Sequence, residues 1–380
     1  MPLYRLLAMR FFQSANVLGV ILTLYYRAHG LDYTQILSFE IVLSGAMAAG
    51  TVPFGLWADR HGRVRALKYG NAVFALAALV FLVSRVYWQF LLSDLLYGVG
   101  LAWQSGADTA LLAAGGTRWF ARYQAVAAAA GMVGSLAAGG ILQVSGSRWL
   151  VILNAAAALL ALLSVVTITD DRPSPEPRRS PPWHLARQAW GAVVAAPWLW
   201  AWTVAGVATF RLVGINLMFL DLPLWVHRGW HGIWLGVGVT TLYAAGWASL
   251  GAPGLRARLG SRATLSLSQV AAGALVGLLP FLRSPWLLTV AMAGALGVQS
   301  WQTPIADSAV VRSLPEPVRV TALSILDVPS IAVTIVCEIG VGMLADVHLP
   351  WALWASGAAI LVAAPLWWVR ARPGAPEGLG

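Results

Sequence analysis

The chain has 380 residues, of which 59% are hydrophobic and 11% charged, with a mean hydropathy of +0.72. A soluble protein of this length needs far more charge to cover its surface, so the composition excludes an ordinary water-soluble domain and leaves a polytopic membrane protein. The net charge of +10 does not point to nucleic acid, because the basic residues fall singly or in small groups between apolar runs instead of forming a stripe.

Crossing ~30 Å of hydrocarbon takes about 20 helical residues. That ruler cuts the first half into spans at 6–26, 35–57, 66–84, 88–112, 122–145 and 149–168. The second half gives 198–225, 232–252, 263–282, 286–311, 320–345 and 351–369, twelve in all. Span 1 is long enough to stay in the bilayer and lacks a small-residue cleavage site, so it reads as a helix and not as a cleavable signal peptide. Tryptophans beside prolines at span ends, as in Pro197-Trp198-Leu199-Trp200 and Pro285-Trp286, predict aromatic belts. The single cysteine, Cys337, sits in an apolar run and can form no disulfide within the chain.

Between spans 2 and 3 the chain turns abruptly through Gly55-Leu56-Trp57-Ala58-Asp59-Arg60-His61-Gly62-Arg63-Val64-Arg65. Gly55 lets two helices approach, Gly62 supplies a tight turn, Asp59 can meet a helix N-terminus, and the arginines anchor the loop at headgroups. The pattern G-x-x-x-D-R-x-G-R-x-R resembles the loop between helices 2 and 3 of the major facilitator superfamily of secondary transporters, and every fixed position of that signature is present. The resemblance implies an all-α fold of twelve transmembrane helices in two pseudo-symmetric six-helix bundles, working by alternating access around a midplane site.

Proline and charge fill the stretch from Asp170 to Pro182, which reads as a stiff linker; residues 183–196 are moderately amphipathic and are either an interfacial helix or plain linker. The expected division is therefore 1–169, a linker at 170–197, 198–370, and a tail at 371–380. The halves repeat. A shift of 199 residues aligns Gly55-Leu56 with Gly254-Leu255, Gly98-Val99 with Gly297-Val298 and Ala107-Asp108 with Ala306-Asp307, while a shift of 201 pairs Arg10 with Arg211 and Arg27 with Arg228. If the termini and even-numbered loops share one side, that side carries nineteen of the 25 Lys and Arg and the other side five. This bias places both termini in the cytoplasm of a cell-membrane protein.

No catalytic constellation is visible: there is no phosphate loop, no metal-ligand spacing among the six histidines and no nucleophile elbow. An enzyme is not expected, and neither a metal nor another cofactor beyond a proton gradient. Function is sought instead among polar groups inside the spans, where each charge is costly and faces a cavity or a partner. The resemblance makes spans 1, 4, 7 and 10 the cavity lining. These carry the substrate-cavity candidates Arg10, Gln13 and Asn16, then Ser105, then Arg211 and Asn216, then Gln299, Gln302 and Thr303.

On span 4, Asp94, Gly98, Leu101, Ser105 and Asp108 fall within one arc at 100° per residue. Asp94, Glu40 of span 2, Asp221 of span 7 and Asp327 of span 11 are the candidate proton carriers, the proton being the usual coupling ion of the family the chain resembles. Asp108 and Asp307 come some 20 residues, ~30 Å, after the outer ends of spans 4 and 10. With Gly55, Asp59, Arg60, Gly62 and Arg63 they form a candidate cytoplasmic gate, in which Asp59 meets the start of span 11 near Arg319.

Two departures from family patterns bear on the assignment. Asp94-Leu95-Leu96-Tyr97-Gly98-Val99-Gly100 puts Asp where many members carry Arg, and Gly131-Met132-Val133-Gly134-Ser135-Leu136-Ala137-Ala138-Gly139-Gly140 resembles the glycine-rich motif of drug–proton antiporters without its Pro. The expected function is a proton-coupled exporter of a small organic solute, acting as a monomer in the lipid bilayer. An importer of a polar or anionic metabolite, with Arg10 or Arg211 meeting the anion, is the alternative. A non-transporting receptor or assembly factor on the same scaffold is the third reading.

Overall fold

A chain in hydrocarbon must satisfy its peptide groups internally, and the computed structural model is predominantly helical among its described residues. It describes residues 2–15, 17–104, 107–108, 111, 117–168, 187, 190–191, 193–194, 196–302, 305–306 and 319–369, and no strand occurs among them. Most of the linker expected at 170–197 lies outside the described residues.

Helices α1 (Pro2–Ser14) and α2 (Leu22–Ala28) make up span 1, followed by α3 (Tyr33–His61), α4 (Arg63–Val83), α5 (Tyr87–Gln104), α6 (Thr117–Ser145) and α7 (Ser147–Val166). The second half runs α8 (Pro197–Ile215), a π-helical turn (Asn216–Leu220), α9 (Asp221–His227), α10 (Ile233–Ala245) with a 3-10 extension (Gly246–Gly251), and α11 (Ala252–Leu259). It ends with α12 (Ser261–Leu278), α13 (Pro285–Gln299), α14 (Arg319–Val347) and α15 (Leu349–Ala363), which a 3-10 turn continues to Trp368. Among the described residues, helix occurs within each expected span, with breaks in spans 1 and 7.

The charged turn forms as its glycine requires. Gly62 closes α3 and opens α4 with φ 109°, a region closed to side chains, while its N–H donates to Ala58 O at 2.9 Å. Gly260 does the same between α11 and α12, with φ 78° and a 2.9 Å bond to Arg256 O. The repeat seen in sequence thus recurs as one turn geometry. At the other end of α3 a capping box fixes the start, Asp32 Oδ1 accepting from Gln35 N–H at 2.6 Å and Gln35 Oε1 from Asp32 N–H at 3.1 Å.

Spans 1 and 7 are both interrupted. In span 1 the helix stops at Ser14 and resumes at Leu22; in span 7 the π-helical turn begins at Asn216, and the shift of 201 residues lays Ala15 on Asn216. Gly19 and Gly214, with the β-branched Val17, Val20, Ile21 and Ile215 around them, weaken helix at both places. Asn216 adds a direct competitor, because its side-chain Nδ2 donates to the Leu212 carbonyl.

The chain divides into two compact units, one comprising Met1–Pro177 with Leu222–Tyr243 and the other Arg178–Asp221 with Ala244–Gly380. In the first, the glycine-rich α6 and α10 pack backbone to backbone. A Cβ on Gly139 would stand 2.9 Å from Gly236 Cα, one on Gly236 would stand 2.5 Å from Ser135 O, and Thr240 Oγ1 donates to Met132 O at 3.1 Å. Gly134 abuts the Ala15 carbonyl at the break in span 1.

The second unit has an aromatic core. Trp198 and Trp202 meet at 5.2 Å and Trp202 and Trp367 at 5.4 Å, both edge to face, and all three are buried. Trp198 therefore departs from the belt expected of it: Pro197 starts α8, and the four-residue spacing turns Trp198 and Trp202 to the same inner face. Trp286, 52% exposed, keeps an outward position suited to a belt.

Overpacking a close helix contact costs about 1–3 kcal/mol. Gly236→Val should accordingly lower the melting temperature of the purified protein by several degrees. Gly254→Val, where a Cβ meets nothing within 4 Å, should leave it unchanged. Equal melting temperatures for the two variants would refute the packing account.

Candidate functional site

In the first unit, three polar groupings occupy the spans. Toward the end of the bundle that carries the Gly62 turn, the Arg10 guanidinium of α1 lies over the Tyr123 ring of α6 at 4.9 Å. Tyr123 OH donates to Asp108 Oδ2 at 2.9 Å. Arg10, expected in the cavity, and Asp108, expected at the gate, are thus joined through one tyrosine that the sequence had not marked.

One turn further along α1, Gln13 Nε2 donates to Asn71 Oδ1 of α4 at 2.9 Å and to Gln104 Oε1 of α5 at 2.8 Å. Asn71 is fully buried and donates in turn to Leu67 O at 2.9 Å. This amide cluster ties α1, α4 and α5 together, and Asn71 went unmarked because a lone Asn in an apolar run carries no spacing signal.

The third grouping lies at the opposite end. Tyr26 OH of α2 donates to Asp94 Oδ2 of α5 at 3.4 Å, and Asp94 and Glu40 of α3 interact electrostatically. Ser44 Oγ reaches Glu40 Oε1 at 3.5 Å. Tyr26 is packed against Phe39, Phe81 and Phe90, whose ring centres lie 5.0, 5.9 and 5.1 Å away. Below it, Tyr97 accepts from Asn154 Nδ2 of α7 at 3.1 Å. Gly98, one turn from Asp94, allows α5 to lie against the Leu43 carbonyl of α3, one turn from Glu40, so the two acids stand on closely packed helices. The arc of α5 that carries Asp94 and Gly98 faces α3.

In the second unit, Asn216 and Asp221 bracket the π-helical turn, 0% and 2% exposed. A π-helical turn in a membrane helix frees backbone groups and marks functional positions often enough to single this one out. Gln299 and Gln302 of the span that includes α13 are buried, and Gln302 Nε2 donates to Leu265 O of α12 at 3.4 Å. Arg211 of α8 and Glu338 of α14 both act electrostatically on Cys337. Glu338 is fully buried and was not singled out in the sequence, although a charge inside an apolar span was the available signal.

Several candidates fall elsewhere. Asn16, Ser105, Thr303 and Asp307 lie outside the described residues, as do the surroundings of Gly55 and the side chains of Asp59, Arg60 and Asp327. The expected meeting of Asp59 with the start of span 11 is therefore also outside them. Arg63 opens α4, half-buried.

The apolar helices, with polar groups buried among them, define an integral membrane protein. Residues 6–256 match the sequence signature described as Major Facilitator Superfamily, and the chain belongs to that family. No curated protein sequence matches it.

Among solved structures it is similar to the nucleoside transporter NupG, in an aspartate-to-alanine variant, with 15% identity, TM-score 0.77, and 97% and 98% of the two chains covered. A bacterial homologue of the human lysosomal transporter Spinster, inward-facing and unoccupied, gives 14%, 0.71, 97% and 96%. A POT family transporter in complex with 5-aminolevulinic acid gives 13%, 0.73, 97% and 95%. At these identities the likeness shows the fold; with the family match, it makes the chain a secondary transporter.

Gln13 offers a way to separate scaffold from cavity. Gln13→Leu strands two buried amide acceptors, at about 1–3 kcal/mol each, and should lower the melting temperature markedly while leaving the KM for solute unchanged. An unchanged melting temperature with a raised KM would instead make Gln13 a solute ligand.

Proposed function

We propose that the protein is a proton-coupled exporter of small neutral or cationic organic solutes, with Asp94 as the carrier of the proton and Glu40 as its partner. The observation that supports this reading is the meeting of Asp94, Glu40 and the Tyr26 hydroxyl within one membrane-embedded grouping of the first unit. Burial in hydrocarbon favours the neutral form of an acid and contact with water the ion, so a carboxylate whose access to water alternates can take up and release a proton. Arg10 stacks on Tyr123 beside Asp108, which leaves it poorly suited to meet an anionic solute. Asp221 and Asp327 remain the other candidate carriers.

The test uses purified protein in liposomes, with a panel of organic solutes and an imposed pH gradient. Asp94→Asn should abolish pH-driven accumulation and preserve exchange between equal solute concentrations. If the variant accumulates solute as the wild type does, Asp94 is not the carrier.

The orientation we propose puts both termini and the linker in the cytoplasm of the cell membrane, following the charge bias of the loops. With Cys337 replaced by Ser, a cysteine introduced at Ser174 should resist an impermeant maleimide in intact cells and react after permeabilisation. Labelling in intact cells would reverse the topology.

A further inference from the structure

Arg10 is the cation that span 1 offers to a solute, and what holds its guanidinium decides whether a solute can use it. The guanidinium lies over the Tyr123 ring of α6 at 4.9 Å, and the Tyr123 hydroxyl donates to Asp108 Oδ2 at 2.9 Å. One aromatic side chain therefore carries a cation on its face and a carboxylate at its edge. The ring is 6% exposed and belongs to one core cluster with Leu6 and Met9 of α1 and Ala107 of span 4, so packing fixes it independently of its hydroxyl. Arg10 is only half-buried, and its Nε, which is buried, has no hydrogen-bond partner among the described residues. The aromatic face is thus a principal restraint on this guanidinium.

We propose that Tyr123 is a positioning residue for solute selectivity, which keeps Arg10 seated on its ring and so withholds from organic anions the cation that α1 would otherwise offer. Resting on the reading of the chain as an exporter of neutral or cationic solutes, this assigns part of that selectivity to one side chain. To meet an anion, Arg10 has to leave the ring and lose the stacking, which weakens anion binding by about tenfold. Asp108, at the hydroxyl, adds a negative charge beside the same ring. Tyr123→Phe keeps the face and keeps Arg10 in place, whereas Tyr123→Leu removes the face.

Benzoate, a simple organic anion, is the probe, and benzyltrimethylammonium is its cationic counterpart. Binding of each to the full-length protein in detergent is measured by calorimetry. Neither readout depends on a pH gradient or on transport, so failure here is distinct from failure of the exporter reading. Tyr123→Leu should bind benzoate about tenfold more tightly than wild type, Tyr123→Phe should bind it as wild type does, and adding Arg10→Gln to Tyr123→Leu should erase the gain. Benzyltrimethylammonium should bind Tyr123→Leu no more tightly than wild type.

No gain in Tyr123→Leu, or a gain that survives in the double variant, overturns the proposal. An equal gain for both probes shows a cavity that has merely widened and overturns it as well, and an equal benzoate gain in Tyr123→Phe places the restraint in the hydroxyl and not in the ring. Should Tyr123→Leu fail to fold, Tyr123→Met, whose flexible side chain adapts to the same space, takes its place in every comparison. Arg10→Gln in the otherwise unchanged chain needs neither variant. It should leave benzoate binding as weak as in wild type, and a fall would show that anions already reach Arg10 and overturn the proposal.

Discussion

Hydrocarbon offers no hydrogen-bond partner, and that one constraint shapes this molecule at every level. It forces the backbone into helices and draws polar side chains within them toward one another. Gln13 meets Asn71 and Gln104, Trp367 Nε1 donates to Gln269 Oε1 while Gln269 Nε2 donates to Ile360 O at 2.9 Å, and Arg10 lies on Tyr123 beside Asp108. It also removes the hydrophobic drive between helices, because lipid tails are as apolar as leucine. Close packing must take its place. The glycines of α6 and α10 provide it, as do Gly273 and Gly357, where a Cβ on either would come within 3 Å of the other's carbonyl oxygen.

These pairings change what the intramembrane charges can do. Arg10 is not an isolated cation, because its guanidinium stacks on a tyrosine whose hydroxyl donates to a carboxylate. Two acids with a tyrosine hydroxyl among aromatic rings are the opposite case. The Asp94 grouping has acidic character, an apolar surround, and a position at the other end of the bundle from Arg10. The two ends of the first unit are thus chemically distinct, one cation-bearing and hydrogen-bonded and the other acidic and aromatic.

What could be read from the sequence follows the same physics. Spans are legible because their length is set by the bilayer, and the Gly62 turn is legible because its backbone is closed to other residues. The repeat is visible at near-constant offsets, and Gly62 and Gly260, 198 residues apart, both turn with positive φ. Asp94 stands out by its arc on span 4 and by occupying a position where many members carry Arg, and Glu40 as an acid inside a span, but nothing in their spacing shows that they come together, since a sequence gives a residue's angle on its own helix and not the neighbour it faces. Asn71 and Tyr123 escape a sequence reading for that reason, whereas Glu338 carries a legible signal, a charge inside an apolar span. Trp198 was misplaced because a proline beside a tryptophan marks a helix start, while the side chain's direction depends on what packs there.

The interruptions of spans 1 and 7 were hidden for another reason, since composition there is as apolar as anywhere and only local helix propensity falls. Their placement has a structural consequence for the second half of the chain. A continuous α-helix is stiff and would hold all of span 7 in one compact unit, yet the chain passes from one unit to the other immediately after the π-helical turn, at Asp221. It passes back at Tyr243, two residues before α10 ends and the 3-10 segment Gly246–Gly251 begins. Both crossings fall beside segments that have left α geometry, where a few residues absorb changes of backbone angle that a regular helix resists. The segment from Leu222 to Tyr243 can then belong with α6, to which Gly236 and Thr240 fasten it, while remaining covalently part of the second half. A secondary transporter has to rearrange its packed helices in every cycle, and residues outside regular α geometry are the ones that absorb changes of backbone angle at least cost.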